Sequence, residues 1–380
     1  MSDQLGMNCD VVNNDAKASW VALNRVRGLA PVLVARLLEE FGDPQGIALA
    51  PRSALENVKG VGPRALEGLE ALRRPESLEQ ARAEIVRAGR LGAAVLTRAD
   101  EGYPPRLLEG VPDPPPALYV CGSILPVDER AIAIVGSRHA TPYGLEVARR
   151  LAEDLAANGY TVVSGLARGI DAAAHRGALA SGGRTLAVLG CGIDVSYPPG
   201  HHALAREVAA RGAVLSEFPL GTQPFAPNFP VRNRLISGLS LMVVVVEADE
   251  KSGSLITARL ATEQGRDVGA VPGPITWPRS AGANLLIQDG ARLVRHWLDV
   301  VEDLPERYRP AATPRSQAGE TLGERARRIL AALSPAAPRH VDVLAGELEE
   351  SAGDLLADLL DLELRRLVVS LPGKHFLRRA

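Results

Sequence analysis

The sequence of 380 residues contains only three cysteines, Cys9, Cys121 and Cys191, and they are far apart. Dispersed thiols exclude a disulfide framework and lack the paired spacing of a zinc site. We therefore expect a cytoplasmic protein, because free thiols persist in a reducing compartment, and we expect no metal and no cofactor.

Long apolar segments are also absent. The longest apolar run, residues 239–246, is interrupted by Ser240 and is far shorter than the roughly 20 residues that cross a bilayer. The polar N-terminal residues 1–20 lack the apolar core of a signal peptide. The sequence therefore predicts no association with a membrane.

The chain has little net charge and little lysine. The 43 basic and 45 acidic residues leave a net charge of −2, so no overall attraction to nucleic acid follows. Only Lys17, Lys59, Lys251 and Lys374 are lysines, and the remaining basic residues are arginines. An arginine placed in a site can still bind a phosphate through two hydrogen bonds, whatever the net charge.

Common catalytic motifs are missing. No G-x-G-x-x-G follows the first predicted Rossmann strand, and no phosphate-binding G-x-x-x-x-G-K-[ST], His-Glu-x-x-His or G-x-S-x-G occurs. We interpret Asp171 as a helix cap and Glu247 as a residue that orients an arginine or a loop. The sequence thus provides no convincing acid–base pair, and we expect a protein without catalytic residues.

Changes of pattern along the chain predict three folded parts. Residues 1–16 resemble a disordered tail, and residues 17–90 read as a helical domain of the SAM or helix-hairpin-helix kind. Residues 91–305 form the main domain. Residues 306–321, rich in Pro, Ala, Arg and Ser, are a predicted linker, and residues 322–380 suggest three helices and a hairpin, as in a winged helix.

The main domain alternates apolar strand patterns with helical ones. Continuous apolar strands separated by helices indicate a mostly parallel sheet covered on both faces, a Rossmann-like doubly wound α/β fold. The predicted strands are 93–97, 117–121, 131–135, 161–164, 185–189, 213–217, 241–247 and 267–271.

Glycine and a cation follow several of these strands. Ligands bind outside the carboxyl ends of parallel strands, where glycine permits close approach and a following helix N-terminus favours an anion. Glycines that only form tight turns would not explain the neighbouring cations. We predict a phosphate site formed by Gly136, Ser137, Arg138, Ser164, Gly165, Arg168, Gly169, Lys251, Ser252, Gly253 and Ser254.

A further segment with basic residues precedes the most apolar strand. Arg232, Asn233 and Arg234 offer two guanidinium groups and an amide, so we add them to the predicted site. Phe225 and Phe229 could stack on nucleobases or belong to the core, and the sequence leaves both open.

The two flanking domains give less specific signals. The turn with Lys59, Gly60 and Gly62 is typical of a loop that binds duplex phosphates, but it equally fits a plain helical hairpin. The C-terminal helices are rich in Asp and Glu, which argues against strong DNA binding, so a role in protein contact or self-association is at least equally open.

The order of these loops resembles the DNA-processing protein A family, known as DprA or Smf. The resemblance covers most of residues 95–300 and is highly specific there. The residues that carry it are 134–138, 143–144, 164–171, 174–175, 189–192, 197–198, 216–219, 229–230, 232–234, 237–240, 247–248, 252–255, 257–258 and 271–273. One departure is Val231, where a basic residue is frequent in the family.

The resemblance implies a non-catalytic protein that binds single-stranded DNA in natural transformation. Such proteins protect incoming strands, load the RecA recombinase and form homodimers through the Rossmann domain, and weak or accessory duplex binding is a further expectation. By the same resemblance, Gly136, Ser137 and Arg138 hold a backbone phosphate, and Arg232 and Arg234 occupy the family's basic position.

Two other functions remain open from the sequence. Related phosphoribohydrolases act on nucleoside monophosphates, but their P-G-G-x-G-T-x-x-E motif is absent from residues 247–257. A winged helix also occurs in sequence-specific transcription regulators, against which the acidic helices count.

Overall fold

The computed structural model describes residues 15–26, 28–309, 324–334, 337–348, 350–364 and 367–378. The chain divides into two compact units, Met1–Pro310 and Ala311–Ala380. Most of the predicted tail and residues 310–321 of the predicted linker lie outside the described residues, while Glu306–Tyr308 forms a short 3-10 helix. Among the described helices, none combines the length and apolar character needed to cross a bilayer.

Six helices begin the described part of the first unit. Proline is the first residue of four of them, where its fixed φ is favourable and no amide donor is needed. The helices are α1 (described residues 15–24), α2 (Pro31–Phe41), α3 (Pro44–Leu49), α4 (Arg52–Asn57), α5 (Pro63–Ala71) and α6 (Pro75–Arg90).

These helices are packed against the edge of the central sheet. Leu37 and Leu69 are fully buried in one apolar cluster with Val95 and Tyr119 of the first two strands. The helices within residues 17–90 and the edge of the sheet therefore share one apolar cluster. The reason is that short amphipathic helices need an apolar partner surface, and the sheet provides it.

The central sheet has nine strands in the order β1-β2-β6-β5-β4-β3-β7-β8-β9. All pairs from β6 to β9 are parallel, whereas β2 is antiparallel to both β1 and β6. The strands are β1 (Ala93–Thr97), β2 (Ala117–Gly122), β3 (Ala131–Val135), β4 (Thr161–Ser164), β5 (Thr185–Leu189), β6 (Ala213–Ser216), β7 (Met242–Val245), β8 (Asp267–Ala270) and β9 (Arg292–Leu293). The predicted Rossmann-like, mostly parallel fold is confirmed.

Both faces of this sheet are buried. Ile132 of β3 lies opposite Val162 and Met242 in the register, and all three belong to the core on one face. Ala133 and Val163 belong to the core on the other face. Alternate residues therefore need apolar partners on both sides, which explains why the strands are continuously apolar.

Helices cover the two faces. They are α7 (Pro105–Gly110), α8 (Pro142–Ala157), α9 (Ile170–Ala180), α10 (His202–Arg211), α11 (Asn228–Gly238), α12 (Gly253–Glu263), α13 (Pro278–Gln288) and α14 (Trp297–Val301). Those from α8 to α13 connect the parallel strands. The connections before α10 and α11, residues 190–201 and 217–227, are long and form neither helix nor strand.

The second unit has the predicted winged-helix arrangement. Three helices pack around an apolar core that includes Leu344, Leu355 and Phe376. Its elements are α15 (Glu324–Ala332), β10 (Arg339–His340), α16 (Val341–Leu348), α17 (Ala352–Leu364), β11 (Val368–Leu371) and β12 (His375–Arg378), with strand order β10-β12-β11.

Candidate nucleic-acid interface

A groove lies at the carboxyl edge of the central sheet, where β3 lies between β4 and β7. The loops that follow these strands meet there, as expected at the switch point of a doubly wound sheet. The groove has a volume of about 620 Å³. Eight of the predicted site residues line it: Gly136, Ser137, Arg138, Arg232, Asn233, Ser252, Gly253 and Ser254.

A second cavity of about 270 Å³ adjoins the groove. Gly165 and Arg168 line this cavity, together with Arg138 and Arg232, which face both spaces. The structure thus brings the loops after β3, β4 and β7 to one site, along with the first half of α11.

Glu247 holds the loop that follows β3. Its carboxylate accepts hydrogen bonds from the Thr141 amide at 2.9 Å and from the Thr141 hydroxyl, and its carbonyl accepts from Ser137 N at 2.7 Å. Thr141 caps α8 by accepting from Gly144 N at 3.1 Å. A Cβ on Gly144 would lie 2.4 Å from the Glu247 carboxyl carbon, so only glycine fits there. Glu247 therefore orients a loop, as the sequence suggested.

Arg138 projects from this loop with its charge uncompensated. The side chain is exposed and makes no hydrogen bond or ion pair to a described residue. Its guanidinium carbon lies 5.0 Å from the centre of the Phe229 ring, a cation–π distance. Phe229 also contacts Tyr197, with ring centres 5.5 Å apart. The aromatic pair thus holds a free cation at the groove.

Arg232 lies beneath the groove and is 4% exposed. Its Nη1 donates to Gly165 O at 2.9 Å and to Val188 O, and its Nε donates to Asn233 Oδ1 at 3.2 Å. Burial lowers the pKa of Arg232 to about 10, against the opposing effect of Asp171, so the guanidinium remains charged at neutral pH. Its hydrogen-bond partners are neutral, whereas the nearby Asp171, which also lines the groove, offsets part of its charge.

Asp171 shapes the loop after β4 rather than capping α9. Its carboxylate accepts from Gly165 N at 3.1 Å and Ala167 N at 3.2 Å, whereas the N-cap residue of α9 is Gly169. The interpretation of Asp171 as a helix cap was therefore wrong. Burial raises the pKa of Asp171, and the Arg232 charge opposes that shift. Gly169 has a φ of +77°, and a Cβ there would meet Ser137 O at 2.2 Å, so the two loops pack without side chains between them.

Arg234 and Ser164 do not line the groove. Arg234 is 5% exposed and binds both Glu217 oxygens, at 3.1 and 2.7 Å, with Asp113 at 3.2 Å. Ser164 is fully buried and donates to Ile134 O. Residues 232 and 234 are two positions apart on α11, about 200° around a helix, so they face different sides. In a helical segment, a spacing of two residues indicates that the two side chains cannot both face the groove.

The loop after β7 ends at the N-terminus of α12. Ser252 is the N-cap, and the hydroxyls of Ser252 and Ser254 are 2.8 Å apart. Asn233 Nδ2 reaches Gly253 O at 3.4 Å, which joins α11 to this loop. Lys251 is exposed but does not line the groove.

The predicted duplex-phosphate turn lies away from this groove, between α4 and α5. Gly60 has a φ of +101°, Gly62 is the N-cap of α5, and Arg36 donates to Lys59 O at 2.8 Å. Binding of duplex phosphates by Lys59, Gly60 and Gly62 stays a prediction.

Several residues of the groove were missed by the sequence reasoning. Tyr197, Pro224, Ala226 and Asp249 line it. Tyr197 and Asp249 each follow a parallel strand at its carboxyl end, which was the usable signal. Pro224 and Ala226 come from the long connection before α11, and no local pattern marks them.

The close approach of Gly165 to Arg232 can be tested by substitution. A Cβ at position 165 would lie 2.7 Å from both terminal nitrogens of Arg232. We expect Gly165→Ala to displace the guanidinium and to lower the free energy of unfolding by about 1–3 kcal/mol, as overpacking does. Urea denaturation measures the change.

Gly89→Ala is the matched control for that substitution. A Cβ at position 89, within α6, meets nothing within 4 Å. It should be neutral or stabilising by about 0.5–1 kcal/mol, since alanine is the better helix former. Equal stability of Gly165→Ala and wild type would contradict the packing described here.

The doubly wound sheet has basic residues at its switch point, and the chain also carries a winged-helix unit. These features place it in the class of Rossmann-like proteins with an added winged helix. The family model described as DNA recombination-mediator protein A matches residues 94–305, and that of the DprA winged helix domain matches residues 312–374. The chain belongs to this DprA/Smf family of DNA-processing proteins.

Individual relatives agree with this assignment. The Smf protein of Synechocystis is 35% identical over 96% of this chain and 100% of its own length. The Smf protein of Escherichia coli is 42% identical over 74% of this chain and 76% of its own length. The X-ray structure of DprA from Streptococcus pneumoniae matches with a TM-score of 0.65 and 33% identity, covering 76% of this chain and 98% of that one.

Proposed function

We propose that the protein is a non-catalytic mediator of recombination that binds single-stranded DNA in the groove at the switch point. The observation that carries this proposal is the free guanidinium of Arg138, held over Phe229 and next to the buried charge of Arg232. Two cations and a helix N-terminus in one groove favour a phosphate backbone.

A single strand suits this groove better than a duplex. Backbone phosphates can be bound in a positively charged groove while exposed aromatic side chains stack on unpaired bases. Phe225 is 61% exposed near the groove, and Tyr197 and Phe229 line it. These rings would bind bases without reading their sequence.

The proposed contacts follow from where the predicted residues lie. Direct contacts come from residues lining the two cavities: Gly136, Ser137, Arg138, Gly165, Arg168, Arg232, Asn233, Ser252, Gly253 and Ser254. Gly169 supports the loop packing, and Lys251 adds charge nearby. Ser164 and Arg234 stabilise the surrounding structure and do not contact the strand, because both side chains are buried and bound to other residues of the protein.

The carboxylates near the groove support a binding role. Asp171 accepts hydrogen bonds from two loop amides, and Glu247 accepts two from Thr141. Both acids are therefore occupied in shaping loops. Assays of nucleotide hydrolysis with wild type and Glu247→Gln test this point, and turnover lost in the variant would favour an enzyme.

Fluorescence anisotropy with labelled oligothymidine and with a duplex of equal length tests the proposed function. We expect tighter binding to the single strand at each salt concentration. The log–log dependence of affinity on salt should have a slope of about −0.7 for each phosphate neutralised. Preference for the duplex, or no dependence on salt, would contradict the proposal.

RecA loading, strand protection and homodimerisation through the Rossmann domain complete the proposal, on the basis of family membership. The protein should shorten the lag of RecA filament formation on single strands and slow their digestion by a nuclease. Sedimentation velocity should show a dimer for residues 1–310. An unchanged lag would exclude RecA as the partner.

A further inference from the structure

One side of the groove is formed by a segment without regular structure. Residues 217–227, here called the groove wall, connect β6 to α11, and Pro224 and Ala226 within them line the groove. Eleven residues without helix or strand have no hydrogen-bond ladder to fix their path. Turns within the wall and Gly192 N, which donates to Thr222 O at 2.8 Å, fix part of its path, and other elements supply further bonds.

The N-terminal helices supply two of these bonds directly. Asn24 of α1 donates from Nδ2 to Glu217 O at 2.9 Å. Glu84 of α6 accepts from Leu220 N at 2.9 Å. The wall is therefore bound at its first and fourth residues by helices that do not themselves line the groove.

A third link passes through an aspartate. Arg87 of α6 contacts Asp194 at 3.3 Å, and the other oxygen of Asp194 accepts from Gly221 N at 2.7 Å. Because Arg87 lies one helical turn after Glu84, one face of α6 is linked to two adjacent residues of the wall, to Leu220 directly and to Gly221 through Asp194.

Glu84 is held rigidly in this position. It is 5% exposed, it accepts from the Tyr119 hydroxyl at 2.6 Å, and it forms an ion pair with Arg25. A buried carboxylate is costly unless its oxygens have partners, so these contacts fix the oxygen that receives Leu220 N.

The wall in turn holds the helix that carries the basic residues of the groove. The main-chain oxygen of Glu217 binds Asn24, while its side chain binds Arg234 of α11. Arg232 and Asn233 are the neighbouring residues on that helix. A shift of Glu217 would therefore move the groove side chains.

We propose that the N-terminal helices clamp the groove wall and that Asn24, Glu84 and Arg87 are positioning residues for the bound strand. This inference rests on the proposed function, because it assigns a further role within the same site. The helices would raise affinity for single strands without contacting them.

The test uses the full-length protein with labelled oligothymidine. The Asn24→Ala/Arg87→Ala variant removes two of the links to the wall. We expect it to weaken binding by about five- to tenfold, which is the effect of losing one side-chain hydrogen bond. The salt slope should remain that of wild type, because no phosphate contact is lost. Hydrogen exchange in residues 217–227 should become faster.

Lys17→Ala is the matched control. Lys17 binds Val95 O and Asp100, so it attaches α1 to β1 and the loop after it, and its bonds are not to residues 217–227. We expect wild-type affinity and wild-type exchange in residues 217–227.

Glu84→Gln, which keeps an oxygen for Leu220 N, should bind more tightly than Glu84→Ala.

Three outcomes would overturn the clamp: wild-type affinity in the double variant, unchanged exchange in the wall, or equal losses with Lys17→Ala. If wild-type protein does not bind oligothymidine, the proposed function fails, and the exchange rates alone still decide whether the helices hold the wall.

Discussion

Arg138→Ala is expected to weaken binding of single strands by about 1–3 kcal/mol, or roughly 5- to 150-fold in Kd. The side chain has no hydrogen bond or ion pair with a described residue, so its removal leaves no buried group unpaired. The protein should keep its stability while losing a phosphate contact. Anisotropy titrations over a range of salt concentrations measure both the affinity and its salt dependence.

The salt series separates a lost phosphate contact from a disturbed fold. The slope of the log–log plot should become shallower by about 0.7, the value for one phosphate on a single strand. The loss should be similar for oligonucleotides of different sequence. Arg206→Ala, which removes an exposed arginine of α10 that lines neither cavity, is the control and should bind like wild type. Equal affinities for the two variants would refute the role of Arg138.

Arg234→Ala should have its main effect on stability. The guanidinium is 5% exposed and forms two hydrogen bonds with the buried Glu217. Burial raises the pKa of Glu217, and the charge of Arg234 opposes that shift. Without Arg234, the carboxylate loses its compensating charge, and we expect a loss of about 3–5 kcal/mol in the free energy of unfolding.

Urea denaturation at neutral pH measures this loss. In Arg234→Ala the buried, unpaired Glu217 binds a proton more readily than in wild type. The loss in free energy of unfolding relative to wild type should therefore shrink as the pH falls. The double variant Arg234→Met/Glu217→Leu is the control: it removes both charges and should be much more stable than Arg234→Ala. A single variant as stable as wild type would show that the ion pair does not form in solution.

The two arginines also show how far the sequence could be interpreted. Arg232 and Arg234 were predicted together, because both flank Asn233 in the segment that precedes the most apolar strand. The structure places the first beneath the groove and the second in an ion pair with Glu217 and Asp113. Helical geometry separates the two side chains, but the helix itself was not predicted for these residues.

The loops at the edge of the sheet were easier to predict. A strand that is buried on both faces is a continuous apolar run, and the glycines after it lie where the chain turns. Gly136, Gly165 and Gly253 could therefore be located from local pattern alone, and all three line the cavities. Their binding role remains a prediction for the experiments above.

The fold class and the edge of the sheet that carries the groove were determined by the sequence itself, since strand periodicity and glycine turns are local properties of the chain. The tertiary structure alone decided which cations are free and what holds them. Arg138 forms no ion pair with a residue that the structure describes, whereas Arg234 meets Glu217 and Asp113, residues distant in sequence. Charge compensation depends on contacts between remote segments, and no short pattern records those contacts.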